Sequence, residues 1–148
     1  MILFRRLLAP FAPLAVLAMV CSACSDNAGG PPEKASLNRD DLKEANLKIV
    51  AGEADKAAAI LEKLNRDFPE NTEVMELLGL ARSETGNYME AAFWYEQVAG
   101  LHPNGASFLK LAGECYELAG EDGSAILTYS DYVAQKPGDG LVWHKLYQ

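Results

Sequence analysis

Glycine, alanine and proline recur in this chain at one fixed interval. Gly52, Gly86 and Gly120 stand 34 residues apart, and the same interval separates Ala57, Ala91 and Ala125 and then Pro69, Pro103 and Pro137. Three residue types in phase over three periods mark a repeat array, and that constrains the fold before any local assignment is made. A unit of this size cannot bury its apolar face alone, so neighbouring units must stack and share one core. The units run 38–71, 72–105 and 106–139, followed by a short stretch, 140–148, that begins a fourth.

Each unit reads as two helices on either side of its glycine. In the second unit, Met75, Leu78, Leu80 and Ala81 fall near helical spacing before Gly86, and Ala91, Ala92, Tyr95, Val98 and Ala99 do so after it. Gly86 and Gly120 sit where a helix must end in a left-handed residue, which glycine adopts without steric cost. Pro103 and Pro137 close the second helices, and Asn38 and Asn71 or Thr72 are suited to cap the first ones.

These residues resemble the tetratricopeptide repeat family. Met75, Leu109 and Trp143 supply the large apolar residue at repeat position 4, Leu78 the one at position 7, and Ala45, Gly79 and Gly113 the small residue at position 8. Tyr116 fits the aromatic at position 11, where the first two units carry Lys48 and Arg82. Ala57, Ala91 and Ala125 match the small residue at position 20, and Leu61, Tyr95 and Tyr129 the bulky one at 24. The resemblance implies an all-α, right-handed superhelix of three helix-turn-helix repeats. Asp41 and Glu44, standing where the second unit has Met75 and Leu78, mark the first helix as a polar cap. Leu141, Val142, Trp143, Leu146 and Tyr147 predict a C-terminal capping helix over the third unit, with homodimerisation through it left open.

The N-terminus reads as an export signal over 1–23: Arg5 and Arg6 form a basic start, and an apolar run follows, broken by Pro10 and Pro13. That run is short against the roughly 20 residues of a spanning helix. Cys21-Ser22-Ala23-Cys24 resembles the lipobox of bacterial lipoproteins, with Cys24 as the lipidated residue, although Cys21 stands where the pattern has Leu. A plain signal peptidase would accept the same small residues, leaving Cys24 as the bare mature N-terminus. Acyl chains contribute roughly 0.8 kcal/mol per buried methylene, so several make a stable anchor. The expected location is the periplasmic side of a bacterial membrane, the outer by default. Asp26 makes the inner membrane the alternative. Residues 24–37 form a flexible linker, with Gly29, Gly30, Pro31 and Pro32 offering nothing to bury.

The formal net charge is −8, and removing 1–23 takes two arginines and no acid, leaving −10. An acidic chain does not suit nucleic acid, whose phosphates call for a basic face. Neither His102 nor His144 has a cysteine or histidine at metal-ligand spacing, and no nucleophile motif is present. Cys115 shares its repeat position with Leu47 and Ala81 and is expected as an inert core thiol. The reading is therefore non-enzymatic, without cofactor or metal.

In the family, the first helix of each repeat lines a concave groove. Carried onto this chain, the groove comprises Leu42, Asn46 and Ile49, then Glu73, Glu76, Leu80 and Glu84, then Lys110, Glu114 and Glu117, running from apolar to acidic. Such a gradient suits a protein or peptide partner with a basic part and an apolar anchor. Phe93 and Trp94 are expected to pack against the third unit, with Phe93 or Trp94 as a partner anchor if exposed. Architecture and anchor together suggest a scaffold assisting assembly of an envelope machine such as a pilus or secretion system. Assembly of outer-membrane proteins or exported polysaccharide is the alternative. An accessory cell-wall enzyme or peptidoglycan-binding protein is the third reading.

Overall fold

The computed structural model describes residues 37–147. The export signal, the lipobox with Cys24 and most of the linker lie outside them. Seven helices follow one another: α1 (Arg39–Val50), α2 (Ala54–Asp67), α3 (Thr72–Glu84), α4 (Tyr88–Leu101), α5 (Ala106–Ala119), α6 (Asp122–Gln135) and α7 (Gly140–Leu146). No strand occurs among the described residues. The fold is all-α: three hairpins, α1–α2, α3–α4 and α5–α6, each packed on the next, and α7 on the last.

The turn inside each hairpin is built the same way three times. Gly52, Gly86 and Gly120 hold φ of 77°, 79° and 77°, the left-handed region that side chains with a β-carbon avoid. The following N–H reaches the carbonyl five residues back, from Glu53 to Lys48, from Asn87 to Arg82 and from Glu121 to Tyr116, at 2.8–2.9 Å. Asn38 and Asn71 cap α1 and α3 through side-chain oxygens that accept the N–H groups of Asp40 and Val74.

Small residues set how closely the two helices of a hairpin approach. The buried ring of Tyr95 lies over Gly79, and that of Tyr129 over Gly113. In the first hairpin the same register pairs Ala45 with Leu61, both fully buried. Around these contacts Leu61, Val74, Leu78 and Val98 are shut off from water, each contributing about 1.5–3 kcal/mol of burial. The core falls into clusters shared between neighbours rather than owned by single hairpins. Val142, Trp143 and Leu146 of α7 join Tyr129, Tyr132 and Val133 of α6.

The expectation for Trp94 is corrected. Its indole packs on the cluster of Leu61, Leu64 and Val74, toward the first hairpin rather than the third. Phe93, one residue earlier, turns outward and is 48% exposed.

Candidate protein-binding groove

The first helices of the first two hairpins, α1 and α3, pack side by side. Between α1 and α3 lies a cleft of about 390 Å³ lined by Arg39, Leu42, Lys43, Asn46, Glu73, Glu76 and Leu77. Leu42, Asn46, Glu73 and Glu76 were all expected to share this surface. Ile49 does not reach it: at 8% exposure it belongs to the core with Ala45, Leu61 and Leu78. Leu42 is buried to 4% as well and edges the cleft as its floor. The apolar end of the groove is therefore shallower than the residue types implied, because α1 spends its aliphatic side chains on packing. Val50, one residue on, is fully outward-facing.

Leu80 lies at the surface of α3, and Glu73, Glu76 and Glu84 are exposed along the same helix. Ser83 of α3 lies against the Cys115 thiol of α5, and α4 packs on α5 with the Tyr95 and Phe108 rings stacked 6.5 Å apart. Burial pushes the Cys115 thiol above its usual pKa, which keeps it protonated and inert. The His102 imidazole accepts the Asn104 N–H through Nδ1 at 3.1 Å and sets its edge on Phe108, so its role is local packing.

On α5 two of the expected groove residues are already engaged. Lys110 donates to Asp139 at 2.9 Å, and the Tyr132 hydroxyl donates to the same carboxylate at 2.8 Å. These bonds hold the Asp139 carboxyl well below its usual range, at about 2, and raise the Lys110 ammonium. Glu117 pairs with Lys145 of α7. Lys110 and Glu117 thus fasten the terminal helix. Among the described residues no ion pair is made by Glu73, Glu76, Glu84 or Glu114. The groove that remains open is acidic, with Arg39 and Lys43 at its α1 end.

A tetratricopeptide repeat model matches residues 42–106 and again residues 77–140, together about two thirds of the chain. This chain belongs to the tetratricopeptide repeat family. Repeats of this kind are protein–protein interaction scaffolds and typically non-catalytic. No curated protein matches the sequence. In this tetratricopeptide repeat protein, no cluster of three or more His, Cys, Asp or Glu among the described residues is placed to hold a metal ion. No helix among them is long and apolar enough to cross a membrane.

Two features of the groove escaped sequence reasoning. One is the diversion of Lys110 and Glu117 into α7, which depends on how a seven-residue helix docks. The other is Arg82, which stands at an aromatic position of the repeat and ties Glu62 of α2 to Glu90 of α4. Its signal was legible: Glu62 and Glu96 stand one period apart, 20 residues before Arg82 and Tyr116.

Proposed function

We propose that this protein is a membrane-tethered scaffold on the periplasmic side of a bacterial envelope. There it holds a protein component during assembly of an envelope machine such as a pilus or secretion system. The tether is Cys24, acylated after removal of 1–23, and the working surface is the side of α1, α3 and α5. The observation that carries the reading is the set of four carboxylates, Glu73, Glu76, Glu84 and Glu114, that no cation of the described chain pairs with. Like charges held on one face repel one another and lower stability, and a basic partner relieves that repulsion. Leu80 beside them offers an apolar edge.

The test is affinity purification of the full chain from crosslinked native membranes, beside a variant with Glu73, Glu76, Glu84 and Glu114 reversed to Lys. Glu117 is spared because it fastens α7. A defined set of envelope-assembly proteins that disappears on reversal supports the reading. The same proteins surviving reversal moves the contact off this face, and their absence from both samples overturns the envelope role. Metabolic labelling with a fatty acid, lost in Cys24→Ser, tests the anchor.

A further inference from the structure

We infer that the cleft between α1 and α3 takes an extended segment of the partner in which acidic and basic residues alternate, the acids turned to α1 and the bases to α3. The inference rests on this face being the partner-binding surface and names the charge order that the surface reads.

The two walls of the cleft are oppositely charged. Arg39 and Lys43 stand on α1, Glu73 and Glu76 on α3, and Leu42 and Leu77 give the space of about 390 Å³ its apolar lining. The walls do not satisfy each other: among the described residues no ion pair joins Arg39 or Lys43 to Glu73 or Glu76. Arg39, Glu73 and Glu76 make none at all there, and Lys43 makes one, at 3.5 Å with Asp40, in which both side chains are exposed. A segment lying between the walls can therefore meet four charges without breaking a buried contact.

The next junction does not repeat the arrangement. One period on, Glu73 and Leu77 hold the register of Arg39 and Lys43, while Ser107 and Lys110 hold that of Glu73 and Glu76. Lys110 is bound to Asp139, so none of these four positions offers an unengaged cation.

Spacing selects an extended chain. Arg39 and Lys43 lie four residues apart on α1, about 6 Å along its axis. Alternate residues of a strand point to the same side and stand about 6.6 Å apart, so acids at i and i+2 reach both cations. The residues at i+1 and i+3 then face α3. Glu73 and Glu76 are about 4.5 Å apart along that axis, a mismatch that flexible lysine stems absorb. An all-basic segment would set two of its cations against Arg39 and Lys43, and like charges so placed repel.

The full ¹⁵N-labelled chain in detergent micelles is titrated at low salt with acetyl-Ala-Glu-Lys-Glu-Lys-Ala-amide, and in parallel with its isomer acetyl-Ala-Glu-Glu-Lys-Lys-Ala-amide. The two share composition and net charge, but the isomer sends one acid and one base to each wall. The alternating peptide is expected to saturate, moving amide signals of α1 and α3, and to bind about three- to tenfold more tightly than the isomer. Arg39→Glu with Lys43→Glu should remove that preference, as should Glu73→Lys with Glu76→Lys. All four substitutions together should restore it, because the same peptide fits exchanged walls after a shift of one residue. Circular dichroism checks that each variant keeps its helices. Equal binding of the isomers to the native chain, shifts confined to other helices, no saturation at millimolar peptide, or no restoration in the combined variant of native helicity overturns the proposal. Self-association of the chain that either reversal abolishes also overturns it, by giving the cleft to a second copy. Envelope partners captured by a groove indifferent to the two isomers defeat the charge order only. A preference between the isomers without any envelope partner defeats the assembly role only.

Discussion

The ring of Tyr129 crosses Gly113 so closely that a β-carbon on residue 113 would stand 2.4 Å from its Cε1. Tyr129 is 2% exposed and its hydroxyl is held by Lys145, so the ring cannot swing away. Gly113→Ala should therefore destabilise the array by about 1–2 kcal/mol, or roughly 5–10 °C in Tm, despite the better helix propensity of alanine. Gly79→Ala, at 2.8 Å from Tyr95 Cε1, should cost less. Replacing the tyrosine by leucine in the same variant reproduces the Ala45–Leu61 pairing of the first hairpin. That double variant should recover much of the loss in thermal melts.

The hairpin turns give a prediction with opposite signs at two glycines. Gly86 holds φ of +79° in open space, so Gly86→Ala meets no clash but is forced into the left-handed region. The expected cost is about 1–2 kcal/mol. Gly100 lies within α4, exposed and with nothing near its β position, so Gly100→Ala should stabilise by about 0.5–1 kcal/mol. Urea melts that moved both variants in the same direction would contradict this account of the turns.

Acid should loosen the terminal helix first. Asp139 caps α7 and accepts from Lys110 and Tyr132, and its carboxyl titrates at about 2 rather than the ordinary 3.8. A depressed carboxylate contributes stability above its unfolded pKa and loses it as pH falls toward the folded one. The α7 contribution should thus fade between about pH 4 and pH 2. Trp143 fluorescence in a Trp94→Phe background reports it, and Asp139→Asn should remove the transition. At the alkaline end burial raises the hydroxyls of Tyr116 and Tyr129 to about 12. Their stabilisation should persist to about pH 10 and be lost as pH rises toward 12.

How far the molecule could be read from its residues depends on the range of the interaction. The 34-residue phase made the hairpins, turn glycines and asparagine caps legible, because each is governed by residues a few positions apart. The glutamates of α3 were legible as a face for the same reason. Ile49 was not separable from groove residues such as Leu42 by type, since an aliphatic side chain serves a core or a binding edge equally well. Only packing against Ala45 and Leu61 decides it. Lys110 and Glu117 read as free charges because their partners, Asp139 and Lys145, lie 29 and 28 residues away. Trp94 was assigned to the wrong neighbour because a second helix touches units on both sides and periodicity does not say which way an indole turns.

The two junctions between hairpins use one geometry and two chemistries. Arg82 donates to Glu62 across the first junction, and Tyr116 donates to Glu96 across the second, at the same separation of 20 residues. Glu96 also accepts from Thr128. Removing an ionic donor costs more than removing a neutral one. Arg82→Met should lower stability by about 1–3 kcal/mol in a salt-dependent way, and Tyr116→Phe by about 1 kcal/mol independently of salt. Melts at low and high ionic strength would distinguish the two.

That difference makes the array unevenly elastic. Mobile ions weaken the attraction of Arg82 for Glu62 and Glu90 but leave the tyrosine and threonine contacts of Glu96 nearly untouched. Rising ionic strength should therefore loosen the contact of Arg82 with Glu62 more than that of Tyr116 with Glu96. The cleft between α1 and α3 lies at that more salt-sensitive junction, so the face it opens on is bounded by the ionic contact rather than the neutral one.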